Sequence, residues 1–261
     1  MQQYQTAEAA DEAQAADDHA QLPESVAGWA LFLDLDGTLL DLADRPDAVA
    51  APVNLQRDLV TVSRKVDGAL AIISGRSIAF VDRLFAGHGF RVAGLHGVEW
   101  RTSDGTIAGV QAGPEFALAR KRLEHAAAGW PGVIFEDKGV AIAAHYRHAP
   151  GLEAEVRAFM DRLAADLGEA WVLQRGKHVY EIRPGARDKG EAVRTFMGEP
   201  PFSGRRPLAI GDDVTDEAMF RYVNTVGGLS VRVGDANASS AARLSVERPS
   251  IVRDWLAGIA S

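Results

Sequence analysis

Short apolar runs recur along the chain, each closed by turn or charged residues: ALFLDL (30–35), ALAIIS (69–74), RVAGL (91–95), PLAIG (207–211) and LSVRVG (229–234). Runs this short and this continuously apolar suit strands covered on both faces, as in parallel sheets. The segments between them read as helices. VNLQRDLVTVSRKV sets Leu55, Leu59, Val62 and Val66 at helical spacing, and TDEAMFRYV opens with a Thr/Asp cap before its apolar residues. Strand and helix in alternation predict a doubly wound α/β domain with a parallel sheet.

The middle of the chain follows another rhythm. PEFALARKRLEHAAAG reads as a helix, and VIFEDKG with VAIAAHYR as a hairpin turning near Asp137–Gly139. LEAEVRAFMDRLAADLG is a second helix with Leu152, Val156, Phe159, Met160, Leu163 and Leu167 on one face, followed by the strand pair WVLQRG and HVYEIRP. This αββαββ order predicts a small antiparallel sheet backed by two helices, an α+β domain inserted into the first. The predicted division is a tail at 1–27, a core at 28–105 and 184–261, and the insertion at 106–183.

Composition then narrows the function. The chain has 261 residues, 47% hydrophobic and 25% charged, with a net charge of -8. That balance argues against an extended nucleic-acid surface, which needs an excess of Lys and Arg. With no cysteine there is no disulfide, thiolate zinc site or cysteine nucleophile, which fits a reducing compartment. The opening MQQYQTAEAADEAQAADDHAQLPES has no basic residue and fits neither a signal nor a transit peptide, so a flexible acidic tail or frayed helix is expected. No apolar run approaches the roughly 20 residues of a membrane span. The expectation is a cytoplasmic monomer without nucleic-acid or membrane partners.

Candidate chemistry gathers where strands end, because open parallel sheets bind ligands beyond the carboxyl ends of their strands. FLDLDGT offers Asp34, Asp36 and Thr38; IISGR offers Ser74; PLAIGDDVTD offers Asp212, Asp213 and Asp216; RDKGEA places Lys189 at the opening of a helix. Carboxylates this close repel, and a hard divalent cation offsets the repulsion. Mg²⁺ prefers one or two carboxylates, some water and a phosphate oxygen, so the set asks for a phosphorylated ligand. Asp41 and Asp44 read as solvated loop residues, His125 and His148 as surface residues, and Trp100, Trp171 and Trp255 as packing.

FLDLDGTLLD, IISGR, RDKGEA and IGDDVTDE resemble, in order, the four motifs of the haloacid dehalogenase superfamily of phosphotransferases. The resemblance implies a parallel-sheet core with a C2-type inserted cap. It implies Asp34 as nucleophile, Asp36 as general acid and base, Thr38 and Ser74 as hydroxyls on phosphate oxygens, and Lys189 as the balancing cation. Mg²⁺ would be held by Asp34, the Asp36 carbonyl and Asp212, with Asp213 or Asp216 in contact or just behind. Gly75 and Arg76, beside Ser74, fall on the substrate side, although Arg76 by itself reads as a loop residue.

The insertion must choose the ester. FEDKG, AAHYRHAP and RGKHVYEIRPGARDKG, together with AGLHGVEWR and GDDVTDE, are similar to the trehalose-6-phosphate phosphatase family. That resemblance implies sugar contacts from Glu136, Lys138, Arg147, Lys177 and Glu181, and trehalose 6-phosphate as the small-molecule partner. In strand HVYEI the two-residue period puts Val179 and Glu181 on one side, and Lys177, also odd, is expected to share their face. His96 and Gly97 read as a turn between core and insertion. Two rivals stay open: another C2-capped phosphatase acting on sucrose phosphate or mannosylglycerate phosphate, and a non-catalytic sugar-phosphate sensor.

Overall fold

The computed structural model describes residues 22–42, 49–109, 112–185 and 187–261. Its strands are β1 (Trp29–Leu33), β2 (Leu70–Ile73), β3 (Arg91–Gly94), β4 (Glu99–Arg101), β5 (Ile107–Gly109), β6 (Ile134–Asp137), β7 (Ile142–His145), β8 (Trp171–Gly176), β9 (Val179–Pro184), β10 (Arg206–Gly211), β11 (Leu229–Val233) and β12 (Leu244–Val246). The helices are α1 (Leu55–Lys65), α2 (Ile78–Leu84), α3 (Pro114–Ala128), α4 (Glu153–Leu167), α5 (Lys189–Met197), α6 (Glu217–Thr225) and α7 (Pro249–Ala260). Each of the five apolar runs forms a strand at or within a residue or two of its expected place.

Eight strands form one sheet in the order β12-β11-β10-β1-β2-β3-β4-β5, parallel from β12 to β3. β1 lies between β10 and β2, with Leu33 opposite both Ile210 and Ile72. That register brings three strand ends to one level: Asp34 after β1, Asp212 after β10 and Ser74 after β2. Leu55, Leu59, Val62 and Val66 are all buried, as helical spacing required. α1 packs on α7 and α5 on α6, covering a core that includes Phe32, whose ring stacks with those of Phe196 and Phe202 at centroid distances of 6.4 and 5.4 Å.

The second sheet has the order β6-β7-β9-β8, antiparallel throughout. It owns a separate apolar cluster in which Phe116, Leu123, Met160, Leu163, Tyr180 and Ile182 are buried. Phe116 stacks on Trp171 with centroids 4.3 Å apart.

Two details depart from the sequence reading. The expected insertion begins at 106, yet Ile107–Gly109 pairs with β4 in the large sheet. Three-residue strands built partly from Glu, Arg and Gly carry no apolar alternation by which to recognise them. The expected tail runs to 27, yet Val26 is buried and Trp255 donates its indole N–H to the Pro23 carbonyl at 2.8 Å. An indole can be sheltered this way because its one polar group is satisfied. The rest of the expected tail, and Asp44, lie outside the described residues. Among the described residues, no helix is long and apolar enough to cross a membrane.

Phe32 sits at the centre of the β1 wall and is fully buried. Phe32→Ala should lower the unfolding free energy by about 3–5 kcal/mol, read as a fall in urea midpoint at unchanged m-value.

Candidate active site

Asp34 leaves β1 still paired: its N–H donates to the Ile210 carbonyl at 2.9 Å, so the strand direction is held while its side chain reaches the rim. The side chain is buried, and Oδ1 accepts from Lys189 Nζ at 2.6 Å. Lys189 opens α5, where Asp188 caps the helix by accepting from the Glu191 N–H. The same ammonium donates to Asp216 Oδ1 at 2.6 Å. Burial alone would discharge Lys189, but Asp216 and Asp34 outweigh it and hold its pKa above the ordinary value.

Asp216 is fully buried and spends its other oxygen on the chain. Its Oδ2 accepts from the Asp212 and Asp213 N–H groups, both at 2.9 Å. It thereby shapes the GDDVTD loop and aims Asp212. Asp212 Oδ1 accepts from Thr38 Oγ1 at 3.3 Å. A Cβ at Gly37 would lie 2.2 Å from Asp212 Oδ2, so only glycine lets the two acidic motifs meet here, and its φ of 82° suits that residue too.

The carboxylates repel one another. Burial, then Asp216, push the Asp34 pKa well above the carboxylate range, with Lys189 opposing. Burial, then Asp216, raise Asp212 to about 6, again against Lys189. Asp34, Asp212 and Asp216 each offer an oxygen within 4.8 Å of the others, the one such acidic group among the described residues. Hard oxygen donors under mutual repulsion fit a Mg²⁺-like cation. The cluster does not recruit Asp213. That residue is exposed and caps a one-turn helix at 214–216, its Oδ1 accepting from the Val214 N–H at 2.7 Å. Asp216, with both oxygens engaged, stands behind Asp34 and Asp212.

Asp36 is directed elsewhere. Its two oxygens accept from Arg76, Oδ2 from Nε at 2.8 Å and Oδ1 from Nη2 at 2.9 Å. Arg76 stands in the loop after β2, whose Ser74 is buried and whose Oγ accepts from the Arg76 N–H at 3.0 Å. Arg76 also lies close enough to Glu136 of β6 for each charge to shift the other's pKa, so this guanidinium links the core loop to the small sheet.

On the small sheet, Lys138 donates to Glu181 Oε2 and lies 4.0 Å from Glu136, whose Oε2 is 2.7 Å from His145 Nε2. Burial would raise the Glu136 pKa, yet His145, Lys138 and Arg76 outweigh it and keep it below the ordinary value. Glu181 turns away from the cap core that holds Tyr180 and Ile182, as the strand period required. Lys177 does not follow that period. It is exposed in the two-residue turn between β8 and β9, where His178 takes φ 63° and breaks the alternation. Arg147 is exposed in the turn after β7. His145 escaped the sequence reading, although the hairpin register, with Ile134 opposite His145 and Glu136 opposite Ala143, puts it diagonally beside Glu136.

Acidic residues at the carboxyl ends of adjacent parallel strands, a lysine bridging them and a capping α+β sheet define the fold and site of the haloacid dehalogenase superfamily. A family model described as trehalose-phosphatase matches residues 32–250. The chain belongs to the trehalose-phosphatase family. It is 46% identical over 258 residues to a probable trehalose-phosphate phosphatase of Sinorhizobium fredii, covering 99% of this chain and 97% of that one. It is 41% identical over 228 residues to the trehalose-6-phosphate phosphatase of Escherichia coli, covering 86% and 85%. The solved C-terminal domain of Candida albicans trehalose-6-phosphate phosphatase shares the fold, with a TM-score of 0.77 at 24% identity over 89% of this chain and 92% of that one.

Burial and repulsion together make a signed prediction. The folded protein holds a proton on Asp212 up to about pH 6, against an ordinary 3.8, so it binds more protons than the unfolded chain across that window and loses stability as pH rises through it. In EDTA, Asp212→Asn should nearly match wild type near pH 4 and exceed its Tm by several degrees at pH 7. A calorimetric Tm series in both buffers checks this, and added Mg²⁺ should raise Tm in wild type only.

Proposed function

We propose that the protein hydrolyses trehalose 6-phosphate to trehalose and inorganic phosphate, through an aspartyl-phosphate on Asp34 and with Mg²⁺ as cofactor. One observation carries the reading: Lys189 joins Asp34 and Asp216 at a rim faced by the Glu136, Lys138 and Glu181 group of the small sheet. Membership of the trehalose-phosphatase family and similarity to relatives of that name support the sugar.

In the first step an Asp34 carboxylate oxygen attacks phosphorus, the P–O bond to the sugar breaks, and Asp36 gives its proton to the departing oxygen. In the second, Asp36 takes a proton from water, the hydroxyl attacks the same phosphorus, and the Asp34 carboxylate leaves. Asp34 must be ionised to attack, and Lys189 opposes the burial that would keep it protonated. Mg²⁺, held by Asp34, Asp212 and the Asp36 carbonyl, would neutralise charge on the phosphoryl oxygens and draw Asp34 and Asp212 into their ionised forms. Thr38 and Ser74 would donate to phosphate oxygens. Both Asp36 oxygens now accept from Arg76, so proton transfer requires one of them to turn from the guanidinium toward the leaving group.

The inserted domain, as we read it, acts as a cap. Glu136, Lys138 and Glu181 offer the paired donors and acceptors that vicinal hydroxyls need; Lys138 donates to Glu181 Oε2 and lies 4.0 Å from Glu136. Closure would exclude bulk water while Gly75 and Arg76 border the phosphate. Lys177 and Arg147, exposed at turns of the small sheet, would reach the outer part of the disaccharide. A cysteine-free chain is compatible with the cytoplasm, where we place it as a monomer.

Phosphate release from trehalose 6-phosphate, glucose 6-phosphate and sucrose 6-phosphate, each with Mg²⁺ or EDTA, tests both halves of the reading. A strong, EDTA-sensitive preference for the trehalose ester is expected; Mg²⁺-dependent release from another sugar would discard the cap assignment and keep the core one. Asp34→Asn should retain the fold by circular dichroism and lose turnover by at least about 10³-fold. Glu181→Ala should lower the ratio of kcat/KM on trehalose 6-phosphate to that on p-nitrophenyl phosphate by about tenfold or more. A proportionate loss on both esters would remove Glu181 from the sugar site.

A further inference from the structure

The turn after β3 is strained. Leu95 and His96 stand at φ 50° and 58°, and Gly97 follows at 96°, three successive residues in left-handed backbone of which only the last is glycine. Non-glycine residues held there cost of order 1 kcal/mol or more each and persist only where surrounding structure overrides the preference. That override is visible. The His96 N–H donates to the Ser74 carbonyl at 2.9 Å and the Leu95 N–H to the Arg76 carbonyl at 3.0 Å, so the turn is stitched to the SGR loop. On its other side, a Cβ at Gly97 would lie 2.7 Å from the Asp188 carbonyl oxygen, just before Lys189. The turn is wedged between two of the motifs assigned to the phosphate.

The strain aims one side chain. The His96 ring lies against the Gly75 backbone, where an added Cβ would sit 2.7 Å from Cε1. The residue is 9% exposed, and its Nδ1 has no hydrogen-bond partner. Across from it, Glu181 is 6% exposed and its Oε1 also has no partner. His96 Nε2 and Glu181 Oε1 are 3.8 Å apart, too far for a hydrogen bond and suited to one hydroxyl that bonds to both. Among the described residues these are the only buried imidazole nitrogen and carboxylate oxygen left unpaired. Leaving the buried Glu181 Oε1 unpaired is costly, and a ligand hydroxyl bonded to it removes that cost.

We infer that His96 is a specificity-determining residue: together with Glu181 it receives a sugar hydroxyl of the substrate, next to the phosphate loop. His96 belongs to the core and Glu181 to the small sheet, so a hydroxyl bound by both reports that phosphate and sugar are seated together. Esters without a hydroxyl at that place leave Glu181 Oε1 unpaired and are discriminated against. This inference rests on the sugar-phosphate reading above.

Wild-type turnover of trehalose 6-phosphate is measured first; its absence would overturn that reading, and this one with it, before any variant is made. His96→Gly then removes the ring while accepting φ 58° without strain, so a folding defect does not mask the result. We expect the ratio of kcat/KM on trehalose 6-phosphate to that on p-nitrophenyl phosphate to fall by about tenfold or more. His96→Asn, which tolerates left-handed backbone and offers both a donor and an acceptor, should restore part of it. Adding Glu181→Ala to His96→Gly should lower the ratio no more than about two- to threefold further, because both changes empty one shared contact. An unchanged ratio in His96→Gly, an equal fall on both esters, or fully multiplicative losses in the double variant would each overturn the inference.

Discussion

The ion pairs of Lys189 with Asp34 and Asp216 are the constraint on which the rest of the site depends. All three side chains are nearly or wholly removed from solvent. An unpaired charge at such a depth would cost several kcal/mol or change its protonation, whereas a lysine shared between two carboxylates keeps the cluster tolerable. It also fixes geometry. Lys189 ties the start of α5 to the end of β1, and Asp216 ties that lysine to the loop after β10, so three segments distant in sequence are held at one rim. Three carboxylates against one ammonium leave a negative surplus, and burial together with that surplus pushes Asp34 and Asp212 upward.

The large sheet makes that arrangement possible. Because β10, β1 and β2 run parallel in near register, their carboxyl ends deliver an acid, an acid and a hydroxyl to the same side without any loop having to reach. The small sheet is organised by a different rule. One face of β9 feeds Tyr180 and Ile182 into an apolar core, and the alternate face turns Glu181 toward Lys138 and His96. Arg76 and His96 both arise from core loops and both meet small-sheet carboxylates, so the two bodies communicate through charge as well as through their two chain crossings.

What could be read from residues alone followed the range of each contact. The strand-end acids Asp34 and Asp212 were legible because apolar runs mark parallel strands and the topology brings their ends together. Glu181 was legible through a two-residue period. Lys177 was misplaced by that same period, since nothing local announces that His178 takes a left-handed turn. Asp212, Asp213 and Asp216 look alike in sequence; only the three-dimensional loop, folded around Asp216 Oδ2, separates the carboxylate at the cluster from the one that caps a helical turn. The Arg76 grip on Asp36, a contact spanning 40 residues, left no local trace at all. His96 reads as a simple turn, and only the fold sets its Nε2 3.8 Å from Glu181 Oε1.

The central claim is that Asp34 carries the phosphoryl group between two transfers. The most direct measurement is to quench the enzyme in acid during steady turnover of trehalose 6-phosphate, reduce it with borohydride and map the peptides. An acyl phosphate is reduced to an alcohol, so the account predicts homoserine at position 34 in wild type and none in Asp34→Asn. Homoserine at another acidic position, or none at 34 while phosphate is being released, would contradict it.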